Sequence, residues 1–116
     1  MMNIIFEIVD KNEKLIRLTN KQHSHIMDEH PYMHKYIEEI KETLQKPDKI
    51  TSYSFDENVR YFYRSYKHLD NSNRYIIVIV KYLNGEGYVI LAYLETKIKW
   101  KKIKLMIYIT MNRPIS

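Results

Sequence analysis

From Ile50 onward the chain becomes a succession of four runs rich in Ile, Val, Tyr and Phe: 50–55, 59–67, 75–83 and 88–95. Such residues suit a pleated, half-buried surface. The runs are separated by Asp56-Glu57-Asn58, Asp70-Asn71-Ser72-Asn73 and Asn84-Gly85-Glu86-Gly87, all rich in residues that tolerate tight or left-handed turns. The pattern predicts an antiparallel meander, and what precedes it must supply the covering layer.

Asn3 to Val9 reads as a strand around Glu7, and Asp10-Lys11-Asn12-Glu13 is a polar turn before Leu15 to Leu18, so a hairpin opens the chain. Thr19, with Gln22 three residues on, forms a capping box that starts a helix near Asn20. Pro31 biases His30 away from helical angles and ends or kinks that helix. Met33, Tyr36, Ile37, Ile40 and Leu44 then recur at helical spacing, with Glu38, Glu39, Lys41 and Glu42 on the other side, and Lys46-Pro47-Asp48 stops the second helix. The expected fold class is α+β: an N-terminal hairpin and two helices packed on a twisted antiparallel sheet, one sheet face covered and the other open to solvent.

The 116 residues suffice for a single domain, 1–116, and 45% hydrophobic against 28% charged residues lets it bury a core. Only two glycines are present, Gly85 and Gly87, so no glycine-rich phosphate loop is available for ATP or NAD. The absence of cysteine removes disulfides, thiolate nucleophiles and Cys-based zinc sites. Neither a cofactor nor a metal is expected. The longest apolar run, Ile76 to Val80, is far too short for a bilayer span, and the N-terminus lacks a signal-peptide layout, so the expected location is cytoplasmic, with no membrane partner. A formal charge of +5 is a modest bias towards polyanions.

Four of the five histidines fall between residues 23 and 34. His23, Ile26, Met27 and His30 follow helical spacing, whereas His25 points elsewhere on a regular helix. Imidazole is the side chain whose ordinary pKa lies near neutrality, which is what acid-base cleavage of RNA requires. Exposed helix surfaces also carry histidines with no such role. A zinc site built from imidazoles ranks lower, because no His-Glu-x-x-His and no obvious carboxylate partner is present. The tyrosines, eleven in all, concentrate on the strands and interleave with Arg60, Arg64, Lys67, Arg74 and Lys81, an arrangement that offers stacking rings and phosphate-holding charges to single-stranded RNA. An amphipathic sheet face is the plainer explanation of the same composition.

The segments Leu18-Thr19, His25-Ile26, His30-Pro31, Lys46 to Ile50, Tyr61-Phe62-Tyr63, Ile77 to Lys81, Val89 to Tyr93 and Thr96 to Lys99 stand in an order that resembles the phage-type branch of the barnase/EndoU/colicin/RelE-like nuclease superfamily. The resemblance covers about residues 3–99, and the whole order is more specific than any one piece. It implies helices followed by a twisted antiparallel sheet and a metal-independent ribonuclease, often a toxin domain or a phage-associated protein. It also implies site residues: His25 as the histidine before isoleucine in the first helix, His30 of the His-Pro step, Phe62 and Tyr63 as the aromatic pair, Lys81 as the basic strand end, and Tyr93 as the tyrosine of a Thr-Ala-Tyr motif. Leu91 stands where that motif has threonine, so if that hydroxyl binds phosphate, either activity is weakened here or Thr96 has to substitute.

The expectation is therefore an endoribonuclease in which His25, His30, Lys81 and Tyr93 are catalytic and Arg60, Tyr63, Arg64 and Thr96 bind substrate. Its expected partners are RNA and a small acidic antitoxin protein, and assembly as a homodimer is left open. The rival expectations are a non-catalytic RNA-binding module and a protein-interaction module whose sheet pairs with a partner strand. Residues 100–116 lie outside the resemblance, and their alternation of Ile103, Leu105, Ile107 and Ile109 with Lys104, Met106 and Tyr108 suggests one additional strand.

Overall fold

In a computed structural model describing residues 3–69 and 72–95, Thr19 closes one element and opens the next. It is the last residue of strand β2 (Leu15–Thr19), which pairs with β1 (Ile4–Val9) as the expected hairpin. Its hydroxyl then accepts a hydrogen bond from the Gln22 amide at 3.2 Å and caps helix α1 (Asn20–Glu29). The helix stops at His30, whose φ of −138° and ψ of 71° are the extended-side geometry that a following proline favours.

Residues 31–36 differ from the expected second helix, because they wind as a 3-10 segment (Pro31–Tyr36) before α2 (Ile37–Gln45) begins. The reason is geometric. A 3-10 turn superimposes residues three apart, so Met33 and Tyr36 keep one face under either winding, and spacing cannot tell the two apart. Met33, Tyr36, Ile40 and Leu44 are all buried and pack with Phe62, Ile76, Val78 and Val80, so the apolar stripe meets the meander as expected.

The meander comprises β3 (Lys49–Tyr53), β4 (Asp56–Leu69), β5 (Ser72–Leu83) and β6 (Glu86–Glu95), joined as antiparallel neighbours. Asn84 and Gly85, with φ of 55° and 83°, form the two-residue β5–β6 turn between Leu83 and Glu86, where two positive φ values match the twist of the flanking strands. The expected antiparallel sheet is corrected in one respect. The hairpin does not pack on the sheet but joins it, β2 running parallel to β6 through Ile16–Gly87 and Arg17–Tyr88, giving a six-stranded mixed sheet of order β1-β2-β6-β5-β4-β3. Arg17 holds this seam, its Nε 2.6 Å from Glu7 Oε2 on β1 and its other end on Glu86 of β6.

Gly87 makes the seam possible. A Cβ there would run into Ile16 Cδ1 and lie 2.8 Å from Val80 Cγ1 and 3.0 Å from Tyr82 Cε1. Val80 is β-branched and fully buried, so it has little room to yield. Gly87→Ala should cost about 1–3 kcal/mol by overpacking. Chemical denaturation of the variant checks this, and unchanged stability would show that the strands separate without loss.

The second correction concerns the face away from the helices. Tyr53, Val59, Tyr61, Tyr63, Ile77, Ile79, Leu91 and Tyr93 form a second buried cluster there, so that face is not open to solvent. Ile76 to Val80 is apolar at every position rather than at alternate ones, the pattern of a strand buried on both sides. A bulge at Ile90 sets the partition: Ile79 faces Leu91 but Val80 faces Val89, so Ile90 and Leu91 both join the second cluster while Val89 and Ala92 join the first. The expected strand in 100–116 lies outside the described residues.

Candidate active site

The His-Pro step sits against the end of β6. The register of β2 with β6 covers only Gly87 and Tyr88, and the remainder of that edge is met by α1 and the 3-10 segment. The ring of His30 thereby stacks on Tyr93, centroids 5.5 Å apart and planes 23° apart. On its other side it meets Tyr32 edge-on at 5.7 Å, with Nδ1 3.1 Å from the Tyr32 hydroxyl. The Nε2 of His30 is buried, whereas Tyr32 is 39% exposed, so the phenol of Tyr32 is the solvent side of the pair.

Tyr93 in turn belongs to a group of phenols. Burial pushes its ionisation well above the ordinary range, reinforced by the charge of Glu95 and by Tyr63, Tyr32 and Tyr61. Tyr63 is pushed up to about 12 by burial, against a smaller opposing effect of its 2.8 Å hydrogen bond with the Thr51 hydroxyl. Tyr61 is raised by burial and then by Tyr53 and Tyr63. Ring contacts of 6.3 Å (Tyr61–Tyr63), 6.1 Å (Tyr53–Tyr61) and 5.5 Å (Tyr53–Phe55) carry the aromatic run across the sheet.

These phenols bind their protons more tightly when folded than the ordinary value of about 10, so they add stability below that pH. It is lost as pH rises through the folded value, which for Tyr63 means a window from the ordinary value to about 12. An alkaline titration followed by phenolate absorbance and circular dichroism should show a late group of tyrosines ionising together with loss of fold. Ionisation of every tyrosine at the ordinary midpoint, with the fold intact, would contradict it.

The other expected site residues are distributed more widely. His25 is half-buried on α1, five positions before His30, an offset of about 140° around a regular helix. Lys81 lies opposite Val59 and Tyr88 and pairs with Asp56 at 3.3 Å. It is four residues along β5 from Ile77, the residue facing both Tyr63 and Tyr93, a displacement of about 13 Å. Arg60 and Arg64 are on the helix-covered face with Phe62, whereas Tyr61 and Tyr63 are on the other, because successive strand residues alternate. The rings of Tyr61 and Tyr63 are thus separated from the Arg60 and Arg64 guanidinium groups by the thickness of the sheet, whereas Tyr66 shares the Arg64 face, its ring centroid 5.6 Å from that guanidinium. Arg64 is engaged at the end of α2, donating to the Lys46 carbonyl at 2.6 Å and lying 3.5 Å from Glu42 and 3.8 Å from Asp48. Leu91 is buried in the second cluster. Thr96 lies outside the described residues.

Tyr32 was missed as a site residue. Its signal was its place two residues after His30, immediately beyond the proline that turns the chain. Among the described residues no three His, Asp or Glu side chains are grouped to hold a metal ion, and no helix is long and apolar enough to cross a membrane. Compared with protein-family models, with curated proteins and with solved structures, the chain matches none. What the fold itself defines is a small α+β domain, two helices against a six-stranded mixed sheet.

Proposed function

We propose that the protein is a metal-independent endoribonuclease, acting in the cytoplasm as the toxin of a pair whose antitoxin is a small acidic protein. The observation that carries the reading is His30, held between Tyr93 and the solvent-facing Tyr32 by the Pro31 kink. The ordered nuclease-like segments of the sequence supply the reaction class. His30 and His25 take the acid and base roles, and Tyr32 relays the proton between His30 and substrate.

In the proposed reaction the proton of a ribose 2′-OH passes to the Tyr32 oxygen as the phenol proton passes to His30 Nδ1. The 2′-oxygen attacks the adjacent phosphorus, the bond to the 5′-oxygen breaks, and the departing oxygen takes a proton from His25 in its imidazolium form. The products are a 2′,3′-cyclic phosphate and a free 5′-hydroxyl, with atoms and protons balanced. Proton transfer of this kind is typically worth about 10² to 10⁴ in rate.

The purified full chain should cut RNA in the presence of EDTA, leave 2′,3′-cyclic ends and spare DNA, which lacks the attacking hydroxyl. Cleavage that disappears with EDTA and returns with zinc or magnesium would replace the mechanism by a metal-assisted one. Absence of cleavage, joined to salt-sensitive RNA binding, would favour a non-catalytic RNA-binding module.

A further inference from the structure

An open cleft of about 640 Å³ lies at the opposite end of the sheet from His30, between the β1–β2 and β5–β6 turns and the start of β4. The level of Leu83 and Glu86 is six residues along β5 from that of Ile77 and Tyr93, about 20 Å away. Its volume falls within the range of about 300–1,000 Å³ usual for small-molecule sites.

Two cations line it, Lys14 and Arg60. Three other partly covered cations face carboxylates: Arg17 between Glu7 and Glu86, Arg64 beside Glu42 and Asp48, Lys81 on Asp56. Arg60 instead uses one nitrogen, Nη1, for the backbone carbonyls of Glu57 and Val59. Among the described residues neither Arg60 nor Lys14 makes an ion pair. The remaining guanidinium donors form the fork that suits a phosphate.

The rest of the wall is built for more than an anion. The Tyr82 hydroxyl donates to Asp10 Oδ2 at 2.9 Å, while Asp10 Oδ1 accepts from the amides of Asn12 and Lys14 at 2.8 and 2.9 Å. Asp10 is buried, so this network fixes both the Tyr82 ring and the turn that carries Lys14. Asn12 and Asn84 add side-chain amides at the rim, each with a donor and an acceptor able to pair with the edge of a base. A phosphate alone would leave most of the volume unfilled.

We propose that this cleft binds a phosphorylated nucleoside, Arg60 and Lys14 holding the phosphate and the base lying against Tyr82. The inference does not rest on RNA cleavage at His30. The ligand unit is either a free nucleotide or one nucleotide of an RNA chain, and two probes separate these sources.

Calorimetric titration of the full chain would use adenosine 5′-monophosphate and a 2′-O-methylated oligonucleotide, which cannot be cleaved by 2′-OH attack. Adenosine and inorganic phosphate serve as partial ligands. At least one phosphorylated probe should saturate, bind more tightly than adenosine or phosphate, and weaken about tenfold in Arg60→Gln and again in Lys14→Gln. Tighter binding of the oligonucleotide assigns the site to RNA, and tighter binding of the mononucleotide to a free nucleotide. Lys14 is exposed in its turn, so Lys14→Gln keeps the test informative if Arg60→Gln unfolds, which circular dichroism reports. No saturation by either probe, or unchanged affinity in Lys14→Gln and in folded Arg60→Gln, overturns the proposal.

Discussion

Replacing His30 by alanine is expected to lower RNA cleavage by about two orders of magnitude or more while leaving the protein folded, because it removes a proton-transfer group. His30 is only half-buried, with ring contacts to Tyr93 and Tyr32, and is not among the residues of either buried cluster. Tyr32→Phe separates relay from packing, since it keeps the ring edge against His30 and deletes only the hydroxyl 3.1 Å from Nδ1. A relay role predicts a large loss of kcat in Tyr32→Phe with little change in KM, as expected for an interaction made in the transition state. His25→Ala tests the acid role, and exposed His34→Ala is the control. If the His25/His30 double variant retains full activity, the histidine mechanism fails. A slow His30→Ala variant beside an unchanged Tyr32→Phe would keep the histidine and remove the relay.

How much of this was legible in the chain depends on how local the physics is. Thr19 and Gln22 marked a helix start because the cap is made within four residues, and Pro31 marked its end because the restriction acts on its neighbour. Asn84-Gly85 announced its turn through positive φ. The parallel seam was not legible, since it brings Ile16 to Gly87 across most of the sequence and no local pattern marks that pairing. The separation of Arg60 and Arg64 from Tyr61 and Tyr63 was legible, and interleaving obscured it: in a strand, adjacent positions face opposite ways, so rings and charges one residue apart do not share a surface. The burial of the second face was also foreshadowed by the unbroken apolar run at Ile76 to Val80. The meeting of His30 with Tyr93 depends on how the helices lie along β6, which spacing alone does not reveal.

Phe62→Ala should cost about 3–5 kcal/mol and lower the melting temperature by roughly 10–20 °C. Phe62 is fully buried on the helix-covered face, in the cluster that contains Ile40, Leu44, Ile76 and Val78. Strand neighbours on both sides and α2 above restrict collapse into the gap, so the loss of buried apolar surface and the cavity both count. Tyr63, the next residue, points to the other face, and Tyr63→Phe removes a hydroxyl bonded to Thr51 while keeping the ring. That change should cost only about 0.5–1.5 kcal/mol, the usual net value of a hydrogen bond. The contrast decides how the two clusters contribute. A small effect of Phe62→Ala would mean that α2 is held loosely and that the sheet draws most of its stability from the opposite face. If Tyr63→Phe were as damaging as Phe62→Ala, the Thr51–Tyr63 bond would be a principal fastening of β3 to β4, and the aromatic run from Tyr53 towards His30 would depend on it.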